Sequence, residues 1–342
     1  MRSSSRLRFA LLTLASIAVV LGLACGGSSK SSDGLQKVTV QLDWTPNTNH
    51  IGIYLAMANG WYKDAGLDVQ ILPYGDQNPD TVVANGKADV GISFPANVIF
   101  SRAAGLDLVS VAAVLQTNPT QLAVLASSDI QRPKDLDGKT YAGFGLPYEA
   151  PQIKTVIQTD GGKGDFDVAT LSTDAYEALY NKQADFTEIF TTWEGIEADL
   201  RGIKLRTFRY ADYGMPDFPG VVLIAQGKAV KDKSPKLEKF LEVTRRGYEY
   251  AAQNPDDAAK QFMNAVPAGT FPEPELVTRS TEALKPYLVA NNQPWGVQNT
   301  SEWNAYTQWF VDQGIVKDSN DKVIKNVSDL GTLYSDVLLP GG

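Results

Sequence analysis

The sequence predicts an α/β protein built from two doubly wound lobes that are joined by a hinge. Strand-like runs alternate with helical runs beyond residue 36, which is typical of mainly parallel sheets covered by helices. The roughly 300 residues in this part exceed what a single hydrophobic core usually holds, so two lobes are expected. A strand–helix–strand pattern whose helix ends in an Ala-Asp turn also occurs once in each predicted lobe.

The chain begins with a predicted signal peptide, residues 1–24. Arginines precede a mainly apolar, uncharged stretch from Phe9 to Ala24, and such a segment is removed during export. The next residue, Cys25, is the only cysteine in the chain, and residues 22–25 (GLAC) are similar to a bacterial lipobox. We therefore expect lipidation of Cys25, a flexible Gly/Ser-rich tether over 25–36 and a position on the extracytoplasmic face of the cell membrane. The alternative is an ordinary signal peptide that contains a cysteine.

The first lobe is predicted over residues 37–126 and again over 222–342, where the C-terminal helices lie. Its expected strands are 37–42, 67–72 and 89–93, its helices 51–65 and 79–86, and its return strand 221–225. The second lobe is predicted over 127–221 and opens with a strand at 139–143. Chain crossovers near 127 and 222 would form the hinge, and ligands in such sheets bind outside the carboxyl ends of the strands.

Composition excludes several function classes. The net charge is -8 and no basic run follows the signal peptide, which disfavours nucleic acid as a partner. With a single histidine and a single cysteine, serine and cysteine catalytic triads are poorly supported, and the common nucleotide and metal motifs are missing. We expect a monomeric binding protein with no cofactor and no metal rather than an enzyme.

Two loops in the first lobe supply candidate binding residues. Asp43, Trp44 and Asn49 lie between the first predicted strand and a helix, where an aromatic ring, amides and free helix N–H groups suit a planar ring. The alternative is a simple capped loop. Asn118 ends a later strand, and its amide would contact ligand or only stabilise a turn.

The second lobe offers a matching set. Trp193 and Glu194 follow the run 185–190, and Phe144 and Tyr148 follow the strand at 139–143. A tryptophan can stack on a heterocycle while a carboxylate accepts hydrogen bonds from its N–H groups. The alternative is a core tryptophan followed by a glutamate that starts a helix.

Five runs carry a family resemblance that covers nearly all of the mature chain: 42–50 (LDWTPNTNH), 60–72, 83–93, 135–145 and 193–200. Together they resemble the NMT1/THI5-like group of solute-binding proteins. The resemblance implies a type II periplasmic-binding-protein fold, partnership with an ABC permease and ATPase, and a flat vitamin-like ligand. The ligands of the group include riboflavin and formylaminopyrimidine, a precursor of thiamine.

The group also contains a pyrimidine synthase that uses a lysine and a histidine, and the corresponding positions here are Ser93 and Asn97. Its cysteine-rich loop corresponds to residues 215–219, where only Phe218 is retained. The resemblance therefore implies that synthase chemistry is absent. It adds Ser93, Asn97 and the loop from Tyr213 to Phe218 to the residues expected to face the cleft. Phe94 is expected there as one of the aromatic residues near the cleft.

Two ligands remain open, and the resemblance narrowly favours riboflavin over formylaminopyrimidine. A wide cleft with stacking on two sides would suit the three-ring flavin. A small pocket in which Glu194 contacts an aminopyrimidine edge would suit the thiamine precursor. A purely structural surface lipoprotein, with a dry interface between the lobes, is the third class of function.

Overall fold

The computed structural model describes residues 34–341 except 73, 76, 291 and 292. The predicted signal peptide, Cys25 and most of the predicted tether therefore lie outside the described residues. Gln36, predicted as the last tether residue, is the first residue of a strand and pairs with Leu67. Among the helices of the described part, none is long and apolar enough to cross a membrane.

Within this part of the chain, two five-stranded sheets confirm the predicted α/β fold. The first sheet has the order β2-β1-β3-β10-β4 and the second the order β7-β6-β8-β5-β9. In chain order the strands are β1 (Gln36–Gln41), β2 (Leu67–Leu72), β3 (Val90–Ser93), β4 (Leu108–Ala113), β5 (Thr120–Leu125), β6 (Thr140–Gly143), β7 (Asp167–Thr170), β8 (Phe186–Phe190), β9 (Leu205–Arg209) and β10 (Val222–Gln226).

Helices cover both sheets. They are α1 (Ile51–Ala58), α2 (Trp61–Asp64), α3 (Pro79–Ala84), α4 (Pro95–Ala103), α5 (Glu149–Thr159), α6 (Ala175–Tyr180), α7 (Glu194–Leu200), α8 (Gly227–Lys231), α9 (Pro235–Gln253), α10 (Pro255–Ala265), α11 (Pro274–Leu288) and α12 (Thr300–Asp312). The single helix predicted over 51–65 is two helices, because Gly60 adopts a left-handed φ of 73° and ends the first. Glycine adopts this conformation without steric cost.

The first crossover between the lobes lies earlier than predicted. The segment 120–125, assigned to the first lobe by its sequence, is β5 and pairs with β8 and β9 of the second sheet. The chain therefore crosses at 114–119, not near 127, and it returns to the first sheet at Val222. β5 and β10 run antiparallel to their neighbours because each has just entered its sheet from the other lobe.

The two crossovers are hydrogen-bonded to each other. The amides of Val114 and Leu115 both donate to the Val221 carbonyl, at 2.8 and 3.1 Å, and the Gly220 amide donates to the Leu115 carbonyl at 2.9 Å. A Cβ atom at Gly220 would lie 2.9 Å from the Pro119 ring, so only glycine allows this close approach. The hinge is thus a pair of adjacent segments that are joined by main-chain hydrogen bonds.

The repeated Ala-Asp turns make the same bonds in both lobes. The Asp89 carboxylate accepts from the Thr39 amide at 2.8 Å, and the Asp185 carboxylate accepts from the Thr140 amide at 2.8 Å. In each lobe the aspartate fixes the strand that follows it beside the first parallel strand of the sheet. The sequence echo therefore reflects one strand–helix–strand unit that is used twice.

The C-terminal helices contact more than the first lobe. α9 and α10 pack against α1 of the first lobe, and α11 packs against α9 and α10 and also contacts α7 of the second lobe. α12 likewise lies against both lobes. Its Phe310 ring contacts Phe100 of the first lobe and Tyr148 of the second, and its Tyr306 hydroxyl accepts from Gln152 of the second at 2.7 Å. α12 therefore closes one side of the space between the lobes.

Candidate functional site

A cavity of about 370 Å³ lies between the lobes, at the carboxyl ends of strands from both sheets. Twelve of the thirteen binding candidates named from the sequence line it: Asp43, Trp44, Asn49, Ser93, Phe94, Asn97, Asn118, Phe144, Tyr148, Trp193, Glu194 and Phe218. The two lobes thus bring together residues that are up to 175 positions apart in the sequence, from Asp43 to Phe218. This arrangement makes the cavity the candidate binding site.

Tyr213 is the exception, because the described cavity lining does not include it. It ends the 3₁₀ turn Tyr210–Tyr213, after which Gly214 takes a left-handed φ of 86°. The Tyr213 ring packs edge-on against Phe208 of β9, with 6.4 Å between ring centroids. Farther along the same loop, Phe218 lines the cavity. Its ring stacks on Tyr306 of α12, with 3.9 Å between the ring centroids.

His50 holds the loop that carries Asp43 without lining the cavity itself. Its ring is fully buried, and Nδ1 accepts from the Asn47 amide at 3.3 Å. Because Nδ1 is an acceptor, the proton is on Nε2, which donates to Asp43 Oδ1 at 2.8 Å. The Asn47 side chain in turn accepts from the Asn49 amide at 2.9 Å. These bonds fix the direction of the Asp43 carboxylate.

Ser93 and Asn97 both make hydrogen bonds within the protein, and Asn97 accepts its bond from the Tyr148 hydroxyl. The Ser93 hydroxyl donates to Asp80 Oδ1 at 2.6 Å, and Ser101 donates to Asp80 Oδ2 at 2.6 Å. Asp80 is 1% exposed, and burial raises its pKa. The sequence did not single out Asp80, because one aspartate in the first turn of a helix normally interacts only with the helix N-terminus.

The second lobe contributes two carboxyls to the cavity, of which Glu194 is buried and Glu188 is partly buried. Glu194 begins α7 and accepts from the Phe190 amide at 3.0 Å, and burial raises its pKa to about 7. Glu188, in the middle of β8, accepts a hydrogen bond from the Tyr210 hydroxyl, and burial raises its pKa also to about 7. Sequence reasoning missed Glu188, although a charged residue inside the apolar strand FTEIF is the signal that identifies it.

Trp193 contacts the opposite lobe as well as the cavity. Its ring meets Phe271 edge-on, with 5.9 Å between centroids. On the first-lobe side, the Trp44 ring lies against Tyr74, with 5.2 Å between the ring centroids. Tyr74 also lines the cavity. Aromatic faces are therefore available on both walls for a planar ligand.

The charges on the cavity wall have one sign. Asp43, Glu188 and Glu194 line it, whereas the described lining contains no lysine, arginine or histidine. A phosphate or sulfonate group would meet carboxylates without a compensating cation, which is unfavourable in a buried site. The wall suits a ligand that is rich in N–H donors or positively charged. At the described positions, no group of three or more His, Cys, Asp or Glu side chains is placed to hold a metal ion.

The hydrogen bond between Tyr148 and Asn97 joins the lobes across the cavity wall, as does the bond between Gln152 and Tyr306, and loss of the Tyr148 bond should loosen their closure. The Tyr148 hydroxyl of the second lobe donates to Asn97 Oδ1 of the first at 3.0 Å. A bond of this kind contributes about 0.5–1.5 kcal/mol, so we expect Tyr148→Phe to shift the ligand-free protein toward an open form by up to about tenfold. Small-angle X-ray scattering should show a larger radius of gyration.

The matched control is Tyr62→Phe, which removes a buried tyrosine hydrogen bond to Thr244 within the first lobe, 2.6 Å long. It should lower the melting temperature without changing the scattering profile. An unchanged radius of gyration in Tyr148→Phe would show that this bond does not hold the lobes together.

Comparison with known sequences places the chain in a family. The family model described as NMT1/THI5 like matches residues 47–258. The formylaminopyrimidine-binding protein of Halalkalibacterium halodurans is 29% identical, over 86% of this chain and 91% of that protein. A 4-amino-5-hydroxymethyl-2-methylpyrimidine phosphate synthase of Legionella pneumophila is 26% identical, over 89% of this chain and 92% of that protein.

Solved structures show the same fold. The alkanesulfonate-binding protein SsuA of Xanthomonas axonopodis pv. citri, bound to MOPS, aligns with a TM-score of 0.63 and 15% identity, covering 87% of this chain and 98% of that one. The periplasmic aliphatic sulphonate binding protein SsuA of Escherichia coli aligns with a TM-score of 0.60 and 16% identity, covering 84% and 92%. The fold is that of periplasmic binding proteins, and the chain belongs to the NMT1/THI5 like family.

Proposed function

We propose that this protein is the solute-binding component of an ABC importer and that it captures formylaminopyrimidine or a closely related thiamine precursor. The observation that carries the proposal is the cavity between the lobes, whose wall combines aromatic rings with three acidic side chains and, at its described positions, no cation. An aminopyrimidine presents a flat ring with N–H donors, which such a wall complements. The name of the relative from Halalkalibacterium halodurans supports the same ligand.

Formylaminopyrimidine replaces riboflavin, the ligand that the sequence favoured. The cavity volume of about 370 Å³ lies near the lower end of the range for ligand pockets, roughly 300–1,000 Å³. Glu194 lies in the wall, where the small-pocket alternative requires it. A single pyrimidine ring fits this description better than a three-ring flavin with its sugar-alcohol chain.

Binding is also better supported than synthase activity, although several relatives have synthase names. At the two positions that correspond to the lysine and histidine of the synthase, this chain has Ser93 and Asn97, and both side chains are held by hydrogen bonds within the protein. Neither residue can supply the chemistry of a lysine amine or an imidazole. Under this proposal the protein therefore releases its ligand chemically unchanged.

The proposal includes the partners and the location expected from the sequence. A permease and an ATPase would accept the ligand from a monomeric binding protein, and the lipid on Cys25 would hold that protein at the outer side of the cell membrane. Labelling with a radioactive fatty acid in cells tests the anchor. The Cys25→Ser variant should lose both the label and membrane association.

Isothermal titration calorimetry on the mature protein tests the ligand. We expect saturable binding of formylaminopyrimidine at one site per chain, with no change of the compound on prolonged incubation. Riboflavin should give no binding heat, and the purified protein should be colourless. Binding of riboflavin with no response to formylaminopyrimidine would refute the proposal, as would conversion of the pyrimidine to a product.

A further inference from the structure

Glu188 also lines the cavity, and the proposed contact between Glu194 and an aminopyrimidine edge does not involve it. It lies near the centre of β8. Tyr210, which donates to Glu188 Oε2, is not part of the described lining and so approaches from the protein side. A carboxylate has about four acceptor positions. Glu188 therefore retains acceptor capacity toward the ligand.

Among the described residues, the surroundings of Glu188 provide hydroxyls and a second acid but no positive charge. The six titratable groups that interact with it come from five segments of the chain: Tyr141, Tyr148, Glu149, Tyr176, Tyr210 and Tyr306. Burial and the nearby Glu149 raise the pKa of Glu188, and the Tyr210 hydrogen bond lowers it. Glu188 is partly buried, and a carboxylate that is partly removed from water and has no counter-charge is unfavourable, so a cation in the ligand would stabilise this site.

We infer that the ligand bound most tightly carries a positively charged amine and that Glu188 is the partner of that amine. The inference rests on the proposed pyrimidine-binding function and narrows its ligand class. Glu194 would accept from the amino edge of the ring, and Glu188 would pair with an alkylammonium substituent. The amine obtained by removing the formyl group from formylaminopyrimidine has both features, whereas the formylated compound presents a neutral amide in place of the ammonium.

Calorimetry with both compounds tests the inference. At pH 7 the wild-type protein should bind the deformylated amine about tenfold more tightly than formylaminopyrimidine, because a charged hydrogen bond is stronger than a neutral one. Glu188→Gln should weaken binding of the amine about 30-fold and weaken formylaminopyrimidine less, because the neutral amide of that compound makes no ion pair with Glu188. An unchanged circular dichroism spectrum is the control for correct folding of the variant.

Proton release gives an independent readout. Arrival of a cation should drive the remaining proton off Glu188, so titrations in buffers of different ionisation enthalpy should show more proton release with the amine than with the formylated compound. If Glu188→Gln failed to bind either compound, the difference in proton release measured on the wild-type protein would decide. A larger release with the amine supports the inference, and equal release with both compounds overturns it.

Two further results would overturn the inference. Equal or tighter binding of formylaminopyrimidine by the wild-type protein would do so and leave the proposed function intact. Failure of both compounds to bind would remove the proposed function and the inference together.

Discussion

Replacing Glu194 by glutamine should weaken binding of formylaminopyrimidine about 100-fold. The Glu194 carboxyl is buried, is fixed by the Phe190 amide at 3.0 Å and lines the cavity. A carboxylate accepts hydrogen bonds with both oxygens, whereas the amide of glutamine accepts with one side and donates with the other. An aminopyrimidine edge that donates N–H groups would therefore meet a donor. Titration calorimetry measures the change in Kd.

The matched control is Glu197→Gln, on the same helix. The Glu197 side chain is 39% exposed and lies 3.7 Å from Arg201, and the described cavity lining does not include it. It should change the Kd by less than about twofold, because exposed ion pairs contribute little. If Glu194→Gln bound as tightly as the wild-type protein, the ligand-reading role of Glu194 would be wrong.

Measuring the stability of Glu194→Gln as a function of pH distinguishes loss of a ligand contact from damage to the fold. Burial raises the pKa of Glu194 from 4.5 to about 7, so the native state holds this proton more tightly than the unfolded chain does. Its contribution to stability is complete below about pH 4.5 and falls as the pH rises through 7, by at most about 3 kcal/mol. Glutamine does not ionise, so its stability lacks this dependence on pH. The melting temperature of Glu194→Gln minus that of the wild-type protein should therefore be larger at pH 8 than at pH 5.

The sequence was sufficient to predict the lobes and most of the cavity wall because strand ends and polar loops leave local signals. Trp44 and Trp193 each follow a strand, and parallel strands of one sheet bring their carboxyl ends to one edge. The two sheets then face each other across the hinge. These are properties of order along the chain, so periodicity and loop chemistry are enough to find them.

Three features needed the structure because they depend on contacts between distant segments. β5 is apolar enough to fit either sheet, and only its pairing with β8 and β9 decides. Tyr213 and Phe218 belong to one loop, and the left-handed turn at Gly214 determines which of them reaches the cavity. Glu188 has a distinctive position in its strand, but only the assembled wall, whose described residues from both lobes include no Lys, Arg or His, gives its carboxyl the role proposed above.

The helix crossing behind the site should be the position least tolerant of added volume, and Gly247→Ala tests it. Gly247 of α9 lies against Gly52 of α1, and a Cβ atom there would be 2.0 Å from the Gly52 carbonyl oxygen. Neither backbone can yield without separating the helices, so we expect a loss of about 3 kcal/mol and a melting temperature about 6 °C lower or more. Thermal unfolding followed by circular dichroism measures this.

The same crossing supports the binding loop, so Gly247→Ala should weaken ligand binding as well. Tyr248, the next residue, donates to the Asn49 carbonyl at 2.7 Å and stacks on Trp295, whose indole donates to the Val114 carbonyl of the hinge at 3.1 Å. Gly195→Ala in α7 is the matched control, since its Cβ atom would meet other atoms no closer than 3.7 Å and alanine favours the helix. It should be neutral or stabilising. Equal stability of the two variants would show that α1 and α9 tolerate the extra methyl group and that the close crossing is not what positions the Asn49 wall of the cavity.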